Sequence, residues 1–526
     1  MLDDLRRRLA RAIAPKSGAR MYAAARPSRL TANWGTSVSS ADTELFGSLP
    51  SLRSRSRALV RDAGYAKRAK RLVQNNVIGT GIGMQAQVST TRGNLAQNIN
   101  DAIEREWNKW SRADSCHTGG ELHFADLERL AMGQVFEAGE VLIRKHYQAA
   151  GESKVPLSLE LVESELLADD IHLPAPKNAG AEIRMGVEVD GFGRPLGYWL
   201  RRRHPGELRF DTVAPSQIFY VPAEQIIHLR IIDRWPQTRG EPWLHAVAKK
   251  LNDMDGYTEA EIVAARGAAS YMGFIEVDQL DAPAGEQQAD GTEQLELSPG
   301  MIGKLGPGEK FQAYAPNRPN SALDAFLRYM LREVSAGLSV SYASLSADYS
   351  ETNYSSSRLA LLDDRDAWRT LQQWFIRAFR EPLHREWLDQ AVLSGAIPEI
   401  SLQQYGANAE KFQAVSFKPR GWSWVDPTKE VEAYKEAIRA GLTSTSRVIA
   451  ATADGADLED IIADRRREKA LLEAADIVLD TEVAEPVAPA PKAAAAPPED
   501  SETEDAADQP AATESARALK IVGVAT

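Results

Sequence analysis

WLHAVAKKLNDMDGYTEAEIVAARGAASY, residues 243–271, is the stretch from which the architecture follows. It comes directly after Pro242 and runs as one helix of about 29 residues, roughly 44 Å at 1.5 Å per residue. Its first half places Leu244, Val247 and Leu251 on one face. Its second half, EAEIVAARGAAS at 259–270, is dominated by alanine and glycine, with Ala264, Ala265, Gly267 and Ala268 at its centre. Small side chains let helices approach closely. Such a helix is poorly suited to the core of a monomer and well suited to a ring of side-by-side copies.

Downstream, the pattern leaves this helix and returns to it. Phe274–Val277, Met301–Lys304 and Lys310–Tyr314 read as strands around a polar insert, Gln279–Gln294. Ser321–Leu338 is helical again, with Leu323, Phe326, Leu327, Met330, Leu331 and Val334 as its apolar stripe. Tyr342–Ser357 (YASLSADYSETNYSSS) has no apolar periodicity and reads as a loop rich in tyrosine and hydroxyls. Arg358 to about Leu393 is a second long helix, and Pro382 predicts a kink in it. Short strands and turns are expected over 400–425. Asp426 and Pro427 then start a helix over 428–439, and 456–474 is helical.

Upstream, Ala41 to about Ile78 is helical and ends at Gly79-Thr80-Gly81-Ile82-Gly83, a C-cap and a turn into a strand. That glycine run follows a helix rather than a strand, so it fails the context of a dinucleotide-binding turn. Helices are expected over 94–115, with Trp107 and Trp110, and over 123–138. Strand signals follow at Glu140–His146, Leu157–Leu161, Ile183–Val189, Gly197–Arg201 and Ile226–Ile232, with a hairpin turn at Gly191–Pro195. Residues 31–235 therefore read as a mixed α+β domain.

The net charge of −12 over 526 residues is unevenly placed. Residues 471–526 carry 12 acidic and 3 basic side chains, leaving 62 acidic and 59 basic in residues 1–470. The part expected to fold is nearly neutral, so a generally basic surface for clamping DNA is absent. Letting DNA pass does not require one. The Ala/Pro/Glu-rich tail from about 477 has the composition of disorder. Residues 1–30 hold eight Lys/Arg and two Asp, with Leu5, Leu9 and Ile13 four apart, the pattern of a short basic amphipathic arm packed on a neighbouring surface. No apolar run approaches the roughly 18 residues of a membrane span, and no h-region opens the chain, so Sec-type export is not expected. The single cysteine, Cys116, excludes an internal disulfide framework and a cysteine-rich zinc module, which makes an intracellular site of folding the default.

No catalytic constellation of weight is present. Gly300–Lys304 lacks the spacing and hydroxyl of a P-loop, and neither G-x-S-x-G nor H-E-x-x-H occurs. Cys116, His117 and His123 form a weak metal pattern, better read as surface residues on a polar turn. Asp363, Asp364 and Asp366 cluster near a helix start, where the helix dipole and solubility explain them; a metal-dependent nuclease built on them is the competing reading. By contrast, the tyrosines and hydroxyls of 342–357 suit transient contact with phosphates and bases without tight, salt-dependent capture.

Several separated segments resemble, in order, the lambda-type portal proteins of tailed bacteriophages. They are RGEPWLH (239–245), LNDMDGYTEAEIVAAR (251–266), PGMI (299–302), PGEK (307–310), PNRPN (316–320), TNYSSSR (352–358), DRD (364–366), QWF (373–375), PRGW (419–422) and WVDP (424–427). The similarity spans about 30–470. It implies an α+β portal fold: an N-terminal arm over 1–30, a mixed wing over 31–240, a stem helix over 241–271, a clip over 272–320 and a second stem helix over 321–341. A tunnel loop would occupy 342–357, a long kinked wing helix 358–395, a C-terminal wing and crown-side helical region 396–475, and the acidic tail 476–526.

The function implied is structural and non-catalytic, with no cofactor and no metal. The chain would be a virion component, a homo-oligomer (a dodecamer in this family) at the capsid portal vertex, assembled in the host cytoplasm. The terminase large subunit would drive double-stranded DNA through its bore. Major capsid and scaffold proteins would surround it, head-completion and tail connector proteins would attach to it, and it would contact no membrane. Tyr349, Thr352, Asn353, Tyr354, Ser355 and Ser356 would face DNA. Ala264, Ala265, Gly267, Ala268, Arg328 and Arg332 would pack subunits together. A collar protein of the head–tail junction, without a DNA-contacting loop, is the third reading.

Overall fold

The computed structural model describes residues 29, 35, 38–90, 95–174, 180–207, 218–270, 273–277, 286–287, 293–294, 309–313, 322–350, 353–422, 427–452 and 458–475. Two expected features, the strand at Met301–Lys304 and the cap at Asp426, lie outside these residues, as do most of the N-terminal arm and the acidic tail. By its contacts the chain divides into one unit over Met1–Ile461 and another over Ile462–Thr526. The second is described only through 475, as most of the exposed helix Leu458–Ala474.

The N-terminal part of the first unit holds helices α1 (Ala41–Asp62), α2 (Gly64–Val77), α3 (Gln97–Trp110) and α4 (Phe124–Ala138). The helical stretch expected over 41–78 is two helices, because Ala63 turns to extended backbone (φ −96°, ψ 122°). After α2, Gly79 (φ 63°) and Gly81 (φ 129°) turn the chain into strand β1 (Gly83–Ala86).

Strand β2 (Glu140–His146) starts where the sequence placed it. It pairs antiparallel with β3 (Ser158–Val162) on one side and, further along the chain, with Ile226–Arg230 on the other. Side chains alternate across a strand, and here both faces are buried. Val141 and Ile143 enter the main core, while Leu142 enters a second core with Val162, Val187, Tyr198 and Leu200.

The second core lies under a five-stranded antiparallel sheet made of β4 (Leu173–Pro174), β5 (Glu182–Arg184), β6 (Val187–Val189), β7 (Pro195–Arg201) and β8 (Ile218–Pro222), in that order; Ile226–Arg230 is β9. The expected single strand over 183–189 is thus two strands. Met185 (φ 48°) and Gly186 (φ 83°) form a two-residue turn of the kind hairpins favour. The hairpin at 191–195 is present: Asp190 Oδ1 accepts from the N–H groups of Phe192 and Arg194, both at 2.8 Å.

The long helix begins later than its sequence pattern. Trp243–Ala246 is a 3₁₀ turn, and helix α5 runs over Ala248–Ser270. Val247 takes the 3₁₀ bond to Leu244 O, and it sits where Gly337 of the return helix crosses: a Cβ on Gly337 would fall 2.4 Å from Val247 Cγ1. That return helix is α6 (Leu323–Gly337). It runs antiparallel to α5, tied by the Lys250–Glu333 ion pair at one level and a Tyr257–Phe326 ring contact (5.2 Å) at another. Between them, β10 (Gly273–Val277) pairs antiparallel with β13 (Glu309–Ala313), and two-residue strands β11 (Glu286–Gln287) and β12 (Glu293–Gln294) pair within the polar insert.

The loop expected over 342–357 is shorter. Helix α7 (Tyr342–Ser346) fills its start, capped by Ser341. Helix α8 (Tyr354–Phe375) begins four residues before the expected Arg358, behind a capping box in which Asn353 and Ser356 bond reciprocally. One of the hydroxyls that made the segment look unstructured, that of Ser356, belongs to this cap. Where a kink was expected at Pro382, a π-helical turn, Ile376–Arg380, lies between α8 and α9 (Glu381–Leu393). The extra residue in that turn leaves Pro382 in the first turn of α9, where its missing N–H is tolerated. In 400–425 the expected strands are mostly short helices, Leu402–Ala407 and Ala409–Phe412, followed by one strand, β14 (Val415–Lys418), antiparallel to β1. Helices Pro427–Arg439 and Thr445–Thr452 follow.

Candidate functional site

The described residues among those that the sequence proposed as DNA-facing, Tyr349, Asn353, Tyr354, Ser355 and Ser356, lie at the junction of α7 and α8. Tyr349 is 61% exposed on the turn between them. Asn353 is the N-cap of α8, and Tyr354, Ser355 and Ser356 form its first turn. Thr352 and the side chain of Tyr354 lie outside the described residues. Ser355 and Ser356 are exposed, and the Ser356 hydroxyl donates to Asn353 O (3.1 Å). Asp348 braces the turn. Its carboxylate accepts from the Ser350 hydroxyl (2.6 Å), the Ser350 N–H (3.0 Å) and the Tyr342 hydroxyl (3.0 Å), which hold it ionised with a pKa lowered to about 2.

The candidate subunit-packing residues lie along α5 and α6. Leu251, Met254, Leu331 and Val334 are buried in the main core. The outer half of the helix pair presents apolar side chains to solvent, with Ile262 at 52%, Val263 at 59%, Phe326 at 45% and Tyr329 at 65% exposure. Ala265 is exposed and Ala264 partly so; the surroundings of Gly267 and Ala268 lie outside the described residues. Within the chain, Arg328 pairs with Asp324 (3.0 Å), and Arg332 stacks over the Tyr342 ring (5.6 Å).

The three acids do not converge on one metal position. Asp364 is buried, and both its oxygens are committed to hydrogen bonds from Ser341 and Ser344. Asp366 pairs with Arg369 (3.0 Å). The carboxylate oxygens of Asp363, Asp364 and Asp366 do not gather within 4.8 Å of one another. The Cys116 pattern is structural too. Burial pushes the thiol up to about 12, and its Sγ donates to Ser111 O and Leu122 O, both at 3.5 Å. His117 Nδ1 accepts from the N–H groups of Glu121 and Leu122, and His123 caps α4.

Among the described residues, the one grouping with metal-ligand spacing is Glu163, Glu165 and His204. Arg57 already donates to Glu163 (3.3 Å) and Glu165 (2.8 Å). Its guanidinium supplies the positive charge that a cation would bring.

Sequence reasoning missed a buried ionic cluster at the foot of α5. Glu140 opens β2 with no exposed surface. Its Oε1 accepts from Arg53 Nη2 and Arg239 Nε, both at 2.7 Å; its Oε2 accepts from His228 Nε2 (2.9 Å) and Gly240 N (2.8 Å). Burial pushes this carboxyl up, but Arg239, the His228 hydrogen bond and Arg53 outweigh it and hold it well below the ordinary range. Burial, then Arg230, lowers His228 to about 4, so it is neutral near pH 7. Arg239 also donates to Met185 O (2.7 Å) and Ser164 O (3.1 Å), which ties in the five-stranded sheet. Gly240 is required here: a Cβ would fall 2.2 Å from Gly139 O. The signal was present in α1, whose buried stripe Leu45, Leu49, Arg53, Ser56, Val60 has an arginine at its centre.

A second cluster fixes the π turn. Arg380 donates to Glu128 Oε2 (2.8 Å) and Ile82 O (2.6 Å), with its guanidinium 4.8 Å from the Phe124 ring centre. Beside it, His384 is buried among Trp107, Trp387 and Phe417, with no hydrogen-bond partner for either ring nitrogen among the described residues. Burial, then Arg380 and Arg385, lowers it to about 4.

Comparison with known proteins gives one consistent result. The family model "Phage portal protein, lambda family" matches residues 27–372. The chain is 30% identical over 453 residues to the "Probable portal protein" of Halomonas phage phiHAP-1, covering 84% of this chain and 85% of that one. It is 22% identical over 480 residues to "Portal protein B" of Escherichia phage lambda, covering 83% and 86%. A chain of the solved structure "Virion of native gene transfer agent (GTA) particle" aligns over 77% of this chain and 94% of that one, at 16% identity and a TM-score of 0.40, too loose a likeness to argue from.

Proposed function

Because this chain belongs to the lambda family of phage portal proteins, we propose that it assembles into a dodecameric ring at one capsid vertex, a channel for double-stranded DNA. In this reading the terminase large subunit docks on the ring and drives DNA inward. Major capsid and scaffold proteins enclose the ring, and head-completion and tail connector proteins attach to it later. The protein is a structural component of the virion. The hydrolysis that drives packaging belongs to the terminase.

The observation that carries the reading is the α5–α6 pair. Its inner half is anchored in the core, while its outer half leaves Ile262, Val263, Phe326 and Tyr329 uncovered. Neighbouring copies are the natural cover for such a patch. Ala264, Ala265, Gly267 and Ala268 are the proposed closest-approach positions, and Arg328 and Arg332 the polar border of that contact. The turn bearing Tyr349, with Thr352 and the start of α8 from Asn353 to Ser356, is the proposed DNA-facing element. The near-neutral charge of residues 1–470 favours passage over grip.

Native mass spectrometry with negative-stain averages down the ring axis tests the assembly. A closed ring with a central bore is expected. A monomer that persists at high concentration and in the presence of capsid and scaffold proteins overturns the reading. Ala265→Leu is expected to break the ring without unfolding the subunit, since Ala265 is exposed within one copy.

A further inference from the structure

The turn that bears Tyr349 is held at its base by one buried carboxylate. Asp364 lies on α8 and is 4% exposed. Its Oδ1 accepts from Ser341 N (2.8 Å), and its Oδ2 accepts from the hydroxyls of Ser341 (2.7 Å) and Ser344 (2.6 Å). These bonds tie the segment before the turn to the helix after it, across 20 to 23 residues of chain. Arg68 of α2 adds a bond to Ser344 O (2.8 Å). From this base the bonds continue outward: the Tyr342 hydroxyl donates to Asp348, and Asp348 accepts from Ser350. Tyr349 is bracketed by the last two. Apolar anchoring of α7 is limited to Leu345, its one buried side chain, and Tyr342, half-buried against the main core. A segment with so few buried apolar contacts owes its placement to its polar bonds.

We propose that Asp364 is the positioning residue for Tyr349: its carboxylate clasps Ser341 and Ser344 so that the exposed tyrosine is presented at one place relative to α8. The inference deepens the channel reading and rests on it for its functional meaning. The clasp itself is a property of the subunit.

The test uses site-directed spin labelling of the full chain. Cys116 is buried and is the only native cysteine, so Tyr349→Cys adds one selectively labelled site. Arg385→Cys, at an exposed position on α9, is the control. Asp364→Ala and the Ser341→Ala/Ser344→Ala pair are each expected to shorten the nitroxide correlation time at 349 by about twofold or more, with no change at 385. Asp364→Asn, which keeps one acceptor oxygen, is expected to fall between. If Asp364→Ala does not fold, the serine pair carries the same test, since it removes only two hydroxyls. An unchanged spectrum at 349 in a folded variant overturns the proposal. Particles assembled with the same variants separate the two readings. A mobile turn together with lost DNA retention supports both, whereas a mobile turn with full retention overturns the DNA-facing role of Tyr349 and leaves the clasp standing.

Discussion

Glu140→Gln is the sharpest perturbation of the subunit. The change is nearly isosteric, so it removes charge without opening a cavity. The amide offers one oxygen in place of two. In either orientation its NH₂ group faces donors: Arg53 and Arg239 on one side, or the Gly240 N–H and His228 on the other. Two guanidinium groups are left without their shared carboxylate. The nearest remaining acid of Arg53 is Asp169, at 3.9 Å. Breaking a buried ion pair from one side costs about 3–5 kcal/mol, against about 5–15 kcal/mol for the stability of a whole domain. Urea unfolding followed by the fluorescence of the buried Trp107, Trp110 and Trp387 reads the loss. The control is Asp62→Asn at the exposed Arg61–Asp62 pair, where no shift of midpoint is expected. A loss under about 1 kcal/mol in Glu140→Gln would refute the claim that these charges are desolvated and mutually dependent. Replacing Glu140, Arg53 and Arg239 together by methionine is expected to recover much of the loss, because the penalty lies in the unpaired charges.

Acid pH is expected to destabilise the subunit through two histidines. His228 and His384 sit at about 4 in the folded chain against 6.5 unfolded, so above pH 6.5 neither state is protonated and stability is unaffected. Between 6.5 and 4 the unfolded chain binds protons that the folded one refuses, and stability falls by about 3 kcal/mol per histidine; His384→Phe should halve that slope in urea titrations, and an unchanged slope counts against burial as the cause. Cys116 is expected to resist a thiol reagent at pH 8 in the native protein and to react promptly in urea, since burial holds it at about 12; rapid native labelling would contradict the packing around α4. Ala347, at φ 58°, occupies a conformation that favours glycine, so Ala347→Gly is expected to raise the unfolding free energy by up to about 1 kcal/mol, read as a higher urea midpoint.

What the sequence made legible was periodic. Strand β2 and helix α4 lie within a residue of their expected bounds, because an apolar run after Gly139 and a capped amphipathic stripe both signal locally. The α5–α6 pair was legible for the same reason, except for its first turn, which is 3₁₀ and lies where Gly337 packs against Val247. Short polar helices were not legible: in YASLS the hydroxyls that argue for a loop brace α7, Ser344 through Asp364 and Ser346 through Tyr342 O. Nor was the role of Asp364. Beside Asp363 and Asp366 it looked like one of three solvated acids, and only the fold turns it inward against Ser341. Arg53, Glu140 and the pair His228 and Arg239 come from three distant stretches of the chain, and no local pattern links them.

Strand β2 has apolar side chains on both faces of its first half, so polarity cannot tell one face from the other. Moving Leu142 into the place of Val141 or Ile143 would still bury a hydrocarbon side chain against a hydrocarbon core. Glu140 cannot be moved: one step along the strand would take its carboxylate from two guanidinium groups into an apolar core. The ion cluster therefore acts as an alignment key, giving a strand that would fit two ways a single address, and it sets that address next to the residues from which the long helix departs.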